Sequence, residues 1–237
     1  ESNAFEGCYG FTGSLIIPDR AIFVEKNAFC GCCGFNGELK LPRSISEIND
    51  EVFLGCSGFN GSLIIPDSIT SIGINSFYGC SGFNGILKLS INTKIINNGA
   101  FYGCCNLTST LFLPESIISI GERAFFGSSK LYGALNISKS IETIKKEAFS
   151  GCSGFNGTLS LPNNLNNISE GAFFCCSGLR GKLLIPNLIT NIEEYTFYKC
   201  SSFTELILPN SLKSIGKSSF EGCFGFNGAL IIPNGVT

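Results

Sequence analysis

Cysteine is the residue type with the greatest chemical capacity in this chain, since 13 of the 237 residues are cysteine and none is histidine. The lack of histidine excludes Ser/His and Cys/His nucleophile pairs, histidine general bases and histidine metal ligands. The adjacent carboxylates of Asp50-Glu51 and Glu193-Glu194 are expected to be solvated charges on turns. The sequence also lacks a phosphate-binding loop of the pattern GxxxxGK[ST]. We therefore predict that the chain is not an enzyme, and we expect no catalytic residue, cofactor or metal.

Nine of the cysteines recur at one repeat position, 24 or 23 residues apart except where Ser128 takes the place between Cys104 and Cys152. This spacing favours a buried row of free thiols, because cysteine packs as a small apolar residue. Disulfides remain an alternative, mostly through the other four cysteines, although parallel side chains in a stack are poorly placed to bridge. A zinc site at the C-x-x-C of Cys30 and Cys33 would need a second such pair, which is missing. The recurring cysteines are Cys8, Cys32, Cys56, Cys80, Cys104, Cys152, Cys176, Cys200 and Cys223, and the other four are Cys30, Cys33, Cys105 and Cys175.

The recurring cysteines mark one position in a repeat of 24 residues, which is clearest from Val52 to Asn75. A fixed period of this length is typical of a solenoid, in which each unit is too small to bury its own apolar face and must stack on its neighbours. We predict a single array over residues 1–237, with about ten units and truncated at both ends, and we expect it to be a piece of a longer protein. The units start at residues 4, 28, 52, 76, 100, 124, 148, 172, 196 and 219.

Each unit contains one strand pattern and two turn patterns. Leu63 and Ile65 alternate with Ser62 and Ile64, which indicates a short strand, and Pro66 ends it because proline has no N–H for the ladder. The Ala-Phe-x-Gly-Cys and Gly-Phe-Asn-Gly segments reverse the chain direction. The second position of every unit is phenylalanine and is expected to lie in the core. We predict a repeat solenoid with a parallel β-sheet on one side and short turns, 3-10 or helical segments on the other.

The repeated pattern resembles the BspA-like leucine-rich repeats, also called the treponema-type class. Ile65-Pro66 and Ile185-Pro186 after the strand, together with the turn at Ala148–Cys152, carry this resemblance, which covers essentially the whole chain. The extra residue of the Gly-Phe-Asn-Gly segment is similar to the variant in parasitic protists such as trichomonads. The resemblance implies a leucine-rich-repeat fold and a surface protein that acts in adhesion and in recognition of host or neighbouring cells. It implies no catalytic residues and no particular ligand.

The central residue of each strand is expected to face outward, and it varies more than any other position. Six of the ten residues there are apolar, and contiguous exposed apolar patches tend to be interaction sites. The alternative is that neighbouring residues pack on one another and only stiffen the sheet. We predict that this face binds protein, either an extracellular matrix or host surface protein or a neighbouring subunit of an assembly. The candidate residues are Ile16, Lys40, Ile64, Lys88, Phe112, Leu184, Ile207 and Ile231, and Asn136 and Ser160 occupy the same position in the sixth and seventh units.

Charge and hydropathy argue against two other kinds of partner. The net charge is −2 and the lysines and arginines are scattered, so no basic stripe suggests nucleic acid. No apolar run approaches the roughly 20 residues of a membrane-spanning helix, and we expect no membrane span in this segment.

The sequence contains five Asn-x-Ser/Thr patterns that are possible N-glycosylation sites. Turn geometry explains some of these asparagines equally well, since other units carry the same Asn-Gly turn without the acceptor pattern. Glycosylation would fit a cell-surface or extracellular protein, whereas retained free thiols would fit a structural component of a cytoplasmic or cytoskeletal assembly. The five asparagines are Asn60, Asn106, Asn136, Asn156 and Asn167.

Overall fold

The computed structural model describes residues 1–237 and shows a parallel β-solenoid, which confirms the predicted fold class. Each coil contributes short strands to two columns rather than to the single predicted sheet. The first column contains β1 (Leu15–Ile16), β2 (Leu39–Lys40), β4 (Leu63–Ile64), β6 (Leu87–Lys88), β9 (Gly133–Asn136), β11 (Phe155–Ser160), β13 (Gly181–Leu184) and β15 (Phe203–Ile207). The second contains β3 (Glu47–Ile48), β5 (Ser71–Ile72), β7 (Ile95–Ile96), β8 (Ser119–Ile120), β10 (Thr143–Ile144), β12 (Asn167–Ile168), β14 (Asn191–Ile192) and β16 (Ser214–Ile215).

Strands of one column pair in parallel and in register, apart from one register shift in each of the pairs β9–β11 and β13–β15. In the first column, Leu15 pairs with Leu39 and Leu63 pairs with Leu87, so the inward leucines lie directly above one another. The strands of this column form separate two-stranded sheets, each from two neighbouring units. The fifth unit contributes only an isolated bridge from Thr110 to Tyr132. In the second column, β3, β5, β7 and β8 form one continuous four-stranded sheet. The pairing places equivalent repeat positions next to one another along the axis of the solenoid.

The remaining side of the coil is a series of turns and contains no helix. Backbone N–H groups there donate to carbonyl groups of the following unit, for example from Phe77 to Ala100 at 2.9 Å and from Gly79 to Tyr102 at 2.7 Å. Buried backbone N–H and C=O groups need hydrogen-bond partners. Because these bonds between units supply them, the irregular backbone can form a third wall of the coil. We call this wall the turn side.

The core is a stack of aromatic and aliphatic rows, one row for each inward position. The phenylalanines at the second position of the ten units stack with ring centroids 5.2–5.7 Å apart and interplanar angles of 3–14°. The seven between Phe53 and Phe197 are at most 1% exposed. Isoleucines of the second strand column, such as Ile72 and Ile96, close the core from another side. One cluster of 57 buried residues runs from Ile17 to Leu212, so the coils share a continuous core.

The fourth position of each unit has a left-handed backbone, and this conformation gives a test of local strain. Glycine occupies it in eight units, but Cys175 and Lys199 have φ of 57° and 55°. A side chain in this region costs about 1–2 kcal/mol, and the greater freedom of unfolded glycine offsets roughly 0.5–1 kcal/mol of that. We expect Lys199→Gly to raise the free energy of unfolding in urea by about 0.5–1 kcal/mol.

The reverse change provides the matched control. Gly151 has φ of 74°, and a Cβ there would approach the Cα of Gly127 to 3.4 Å. Gly151→Ala should therefore lower the free energy of unfolding. A shift in the same direction for both variants would show that left-handed strain does not distinguish these positions.

Candidate protein-binding face

The outward residues of the first strand column form one exposed row, which we call the strand face: Ile16, Lys40, Ile64, Lys88, Phe112, Asn136, Ser160, Leu184, Ile207 and Ile231. Apolar members include Ile16, Phe112 and Leu184, which are 65%, 67% and 54% exposed. Only Ile207 is half-buried. In the first nine units the residues before and after them are buried or half-buried, as Leu63 and Ile65 are on either side of Ile64, whereas both neighbours of Ile231 are exposed. The fold thus brings the predicted residues onto one surface.

A groove of about 680 Å³ crosses the strand face in its second to fourth units. Lys40 and Lys88 lie on either side of Ile64, and Arg43 adds a third positive charge. Glu38 and Asp67 supply two negative charges to the same groove, and the other lining residues are Leu39, Leu41, Gly61, Ser62, Ile65, Pro66 and Ser68. This half of the face can bind polar and charged groups, whereas the half around Leu184 and Ile231 is apolar.

The second strand column shows what the scaffold itself requires of an outward residue. Of the eight outward residues in its strands, only Ile95 is apolar, and the others are Glu47, Ser71, Ser119, Thr143, Asn167, Asn191 and Ser214. Both columns consist of short parallel strands, so parallel pairing alone does not require isoleucine, leucine or phenylalanine at an exposed strand position. The apolar residues of the strand face therefore need an explanation other than sheet stiffness.

The recurring cysteines bind the scaffold together through hydrogen bonds. The thiol of Cys80 donates to the carbonyl of Phe53 in the preceding unit at 3.0 Å, and that of Cys152 donates to Phe125 at 3.0 Å. Where serine replaces cysteine, the Ser128 hydroxyl makes the same bond to Phe101 at 3.2 Å. The thiols of Cys32, Cys56, Cys104, Cys176, Cys200 and Cys223 make equivalent bonds at 2.9–3.2 Å.

Burial keeps these thiols protonated. Desolvation raises the pKa of the Cys56 thiol to about 12 and that of Cys223 to about 11, and it raises the pKa of Cys152 well above its usual 9.0. A thiol with a raised pKa is a poor nucleophile at neutral pH, because the thiolate is the reactive form. All thirteen cysteines are free in the structure, and among the four outside this row only Cys33 is exposed. Seven cysteines of the row are buried, and Cys8 and Cys223 are half-buried.

The five sequon asparagines differ in whether the side-chain nitrogen is engaged. The Nδ2 of Asn60 donates to the Asn36 carbonyl at 2.6 Å, that of Asn106 to Ser81 at 2.8 Å, and that of Asn167 to the Ser169 hydroxyl at 3.0 Å. The Oδ1 of Asn156 accepts a bond from the Gly133 N–H at 2.9 Å. Asn136 is exposed at the outward position of β9. Glycosylation stays a prediction for all five, and both Asn136 and Asn156 are exposed without a hydrogen bond from the side-chain nitrogen.

No helix of the chain is long and apolar enough to cross a membrane. No group of three or more histidine, cysteine or acidic side chains lies close enough together to hold a metal ion.

Sequence analysis did not identify a second row of aromatic residues, which lies on the turn side at the third position of five units. Tyr78 stacks on Tyr102 with ring centroids 4.3 Å apart, and Tyr102 stacks on Phe126 at 4.7 Å. Phe174 and Tyr198 stack at 4.8 Å two units further on. The signal was present in the variable residue of the Ala-Phe-x-Gly-Cys segment, which is aromatic in five units.

Two parallel strand columns, stacked identical side chains and a repeat of 24 residues define a leucine-rich-repeat-type solenoid. The BspA-type leucine-rich repeat region, in six copies, matches residues 1–132 and 132–237, and the chain belongs to this family. No curated protein matches the chain.

One solved structure shows the same fold, and two others are similar in sequence over most of the chain. A leucine-rich repeat protein from Eubacterium ventriosum is 15% identical over 92% of this chain and 78% of that chain, with a TM-score of 0.61. A leucine rich cell surface protein from Faecalibacterium prausnitzii is 21% identical over 95% of this chain and 74% of that chain, with a TM-score of 0.49. The T. pallidum leucine-rich repeat protein is 20% identical over 90% and 78%, with a TM-score of 0.45.

Proposed function

We propose that the chain is a non-enzymatic solenoid that binds protein through the strand face, and that it acts in cell-surface adhesion or recognition. Membership in a leucine-rich repeat family supports protein binding as the general role. The contrast between the two strand columns carries the proposal, because exposed apolar residues recur in the first column and are nearly absent from the second. Large exposed apolar residues on a regular surface are the usual anchors of protein interfaces.

Leu184 is the residue whose change tests this proposal most cleanly, because it is 54% exposed whereas Ile207 is half-buried. We expect Leu184→Asp to reduce binding of the purified protein to intact cells and to immobilised matrix proteins at least about tenfold, as for an interface anchor. The same change should leave the thermal unfolding midpoint nearly unchanged. Binding is measured with fluorescently labelled protein over a concentration series.

The matched control is Asn191→Asp, which places the same charge at an outward position of β14 in the second column. It should leave binding unchanged. Equal binding of the wild type and Leu184→Asp, or equal losses in both variants, would argue against the strand face as the binding surface.

The alternative function is a structural component of an intracellular assembly. The thirteen free cysteines favour it, since free thiols persist in reducing compartments. Intact mass of protein from its native source, before and after thiol alkylation in denaturant, separates the two. Sugar mass on a peptide that contains Asn136 would support the surface role, whereas thirteen alkylated thiols without sugar would support the intracellular one.

A further inference from the structure

The aromatic row on the turn side has a gap of one unit. Five units carry Tyr78, Tyr102, Phe126, Phe174 and Tyr198 at the third position, but the unit between Phe126 and Phe174 has Ser150. Stacked neighbours elsewhere in the row are 4.3–4.8 Å apart. Phe126 and Phe174 are separated by two units, which is roughly 9–10 Å at the spacing of parallel strands. That separation leaves room for one additional ring stacked on both faces.

The neighbouring row of side chains, at the last position of each unit, has a glycine next to Phe174. Gly171 lies between Glu147 and Tyr195 in that row, and a Cβ there would lie 3.1 Å from the Glu147 Cγ, so the Glu147 side chain packs over it. The missing ring at Ser150 and this glycine border a cavity of about 330 Å³, which we call the aromatic slot, lined by Phe126, Glu147, Ser150, Glu170, Gly171, Phe174 and Tyr195. Ser150 forms its floor and is 3% exposed. Tyr195 stands edge-on to Phe174, with an interplanar angle of 67°.

The charges at the rim indicate that a neutral group fits better than a cation. Glu147 is already paired with Arg123, and Glu170 is paired with Lys146 at 2.8 Å. A guanidinium or ammonium group entering the slot would have to share carboxylates that are neutralised by the chain itself. A flat apolar ring gains two stacking partners and displaces water from the apolar walls without this competition.

We propose that the aromatic slot binds one aromatic side chain of a protein partner, which would continue the row of stacked rings. The slot would be a second contact site for a protein partner, in addition to the strand face. That the ring belongs to a protein rests on the proposed protein-binding function. Such a site would hold a partner on the turn side, and its occupant would be fixed in orientation because both of its faces are covered. Aromatic anchors that fill a pocket usually dominate the energy of an interface.

The chain has no tryptophan, so a tryptophan derivative can be followed by its fluorescence without background from the protein. The probe is N-acetyl-tryptophanamide, and its emission should shift to the blue on titration with the folded protein. Ser150→Phe supplies the missing ring from within the chain, as other units do, and should fold normally. We expect this variant to weaken probe binding at least about tenfold. Equal binding by the wild type and a folded Ser150→Phe overturns the proposal.

Leu54→Phe is the matched control, since it adds a ring at the same repeat position outside the slot and should leave the affinity unchanged. Should Ser150→Phe fail to fold, Phe126→Leu removes one wall and is expected to weaken binding at least about threefold. A Phe126→Leu protein with unchanged affinity counts against the slot.

The chemistry of the occupant is tested by competition. N-acetyl-tyrosinamide should displace the probe, whereas N-acetyl-argininamide and methyl glucoside should not. Stronger displacement by either of the last two overturns the assignment of an aromatic occupant. Leu184→Asp should leave probe binding intact, so a failure of the strand face and a failure of the slot are distinguishable.

Discussion

Raising the pH from 8 to 10 is expected to remove most of the stability of the solenoid. Burial raises the pKa of the Cys56 thiol to about 12, and it raises the pKa of five other thiols of the row well above the usual 9.0. These groups therefore stay protonated in the folded state, whereas in the unfolded chain they lose their protons as the pH passes about 9. The unfolded state then binds fewer protons than the folded state, so the free energy of unfolding falls with rising pH. The stabilisation is fully present below pH 9 and is lost toward the folded-state pKa values.

The size of this effect follows from the number of thiols. One thiol contributes about 1.4 kcal/mol per pH unit once the unfolded form is ionised, and six of them lower the free energy of unfolding by roughly 8 kcal/mol at pH 10. That is comparable with the total stability of a typical domain. Urea denaturation under reducing conditions at several pH values between 7 and 10 measures the slope.

Tyrosine and lysine side chains also titrate near pH 10, so a matched variant is needed to assign the slope to thiols. Cys152→Ser removes one ionisable group, and the Ser128 hydroxyl shows that serine can make the same hydrogen bond to the preceding phenylalanine carbonyl. This variant should have a slope that is smaller by about 1.4 kcal/mol per pH unit. A stability that stays constant between pH 8 and 10 would show that the thiols are not held protonated by the fold.

The strict repeat made the solenoid and its core predictable. Phenylalanine at the second position of ten units indicates a buried row without any knowledge of the coil, and the alternation around Leu63 and Ile65 indicates the first strand column. The second column was not predicted because each of its strands is two residues long, as in Ser71–Ile72. Strands that short become recognisable only when the neighbouring coil supplies their hydrogen-bond partners. The continuous four-stranded sheet is thus a product of stacking rather than of local sequence.

The finer features of the site depend on contacts between units that spacing along the chain does not show. The sequence indicates that Cys80 is buried, but its hydrogen bond to Phe53 requires the backbone of the preceding unit to lie within reach of the thiol. Likewise, Ser150 and Gly171 are ordinary departures from a repeat when read separately. They border one slot only because the last position of a unit adjoins the third position of the following unit, which places Gly171 next to Phe174 and one coil away from Ser150.

Replacing Phe101 with alanine is expected to lower the free energy of unfolding by about 3–5 kcal/mol. The Phe101 ring is fully buried and is stacked between Phe77 at 5.6 Å and Phe125 at 5.3 Å. Alanine would remove both stacking contacts and leave a cavity that rigid coils on either side cannot close. Because each coil contacts mainly its neighbours, the weakened unit would also reduce the coupling between the two halves of the array. Urea denaturation followed by circular dichroism measures the loss, and the transition should broaden if the halves become less coupled.

Phe5→Ala is the matched control, since Phe5 occupies the same repeat position but is 43% exposed. It stacks on Phe29 at 5.2 Å and contacts Phe11 edge-on, so one face of the ring remains in solvent. Its replacement should cost roughly 1 kcal/mol, because little apolar surface returns to water and no closed cavity forms. A loss below about 1 kcal/mol for Phe101→Ala, or losses of equal size for the two variants, would show that the phenylalanine row does not carry the core. If Phe101→Ala costs about 2–4 kcal/mol more than Phe5→Ala, rings that are covered on both faces contribute most to the stability of the solenoid.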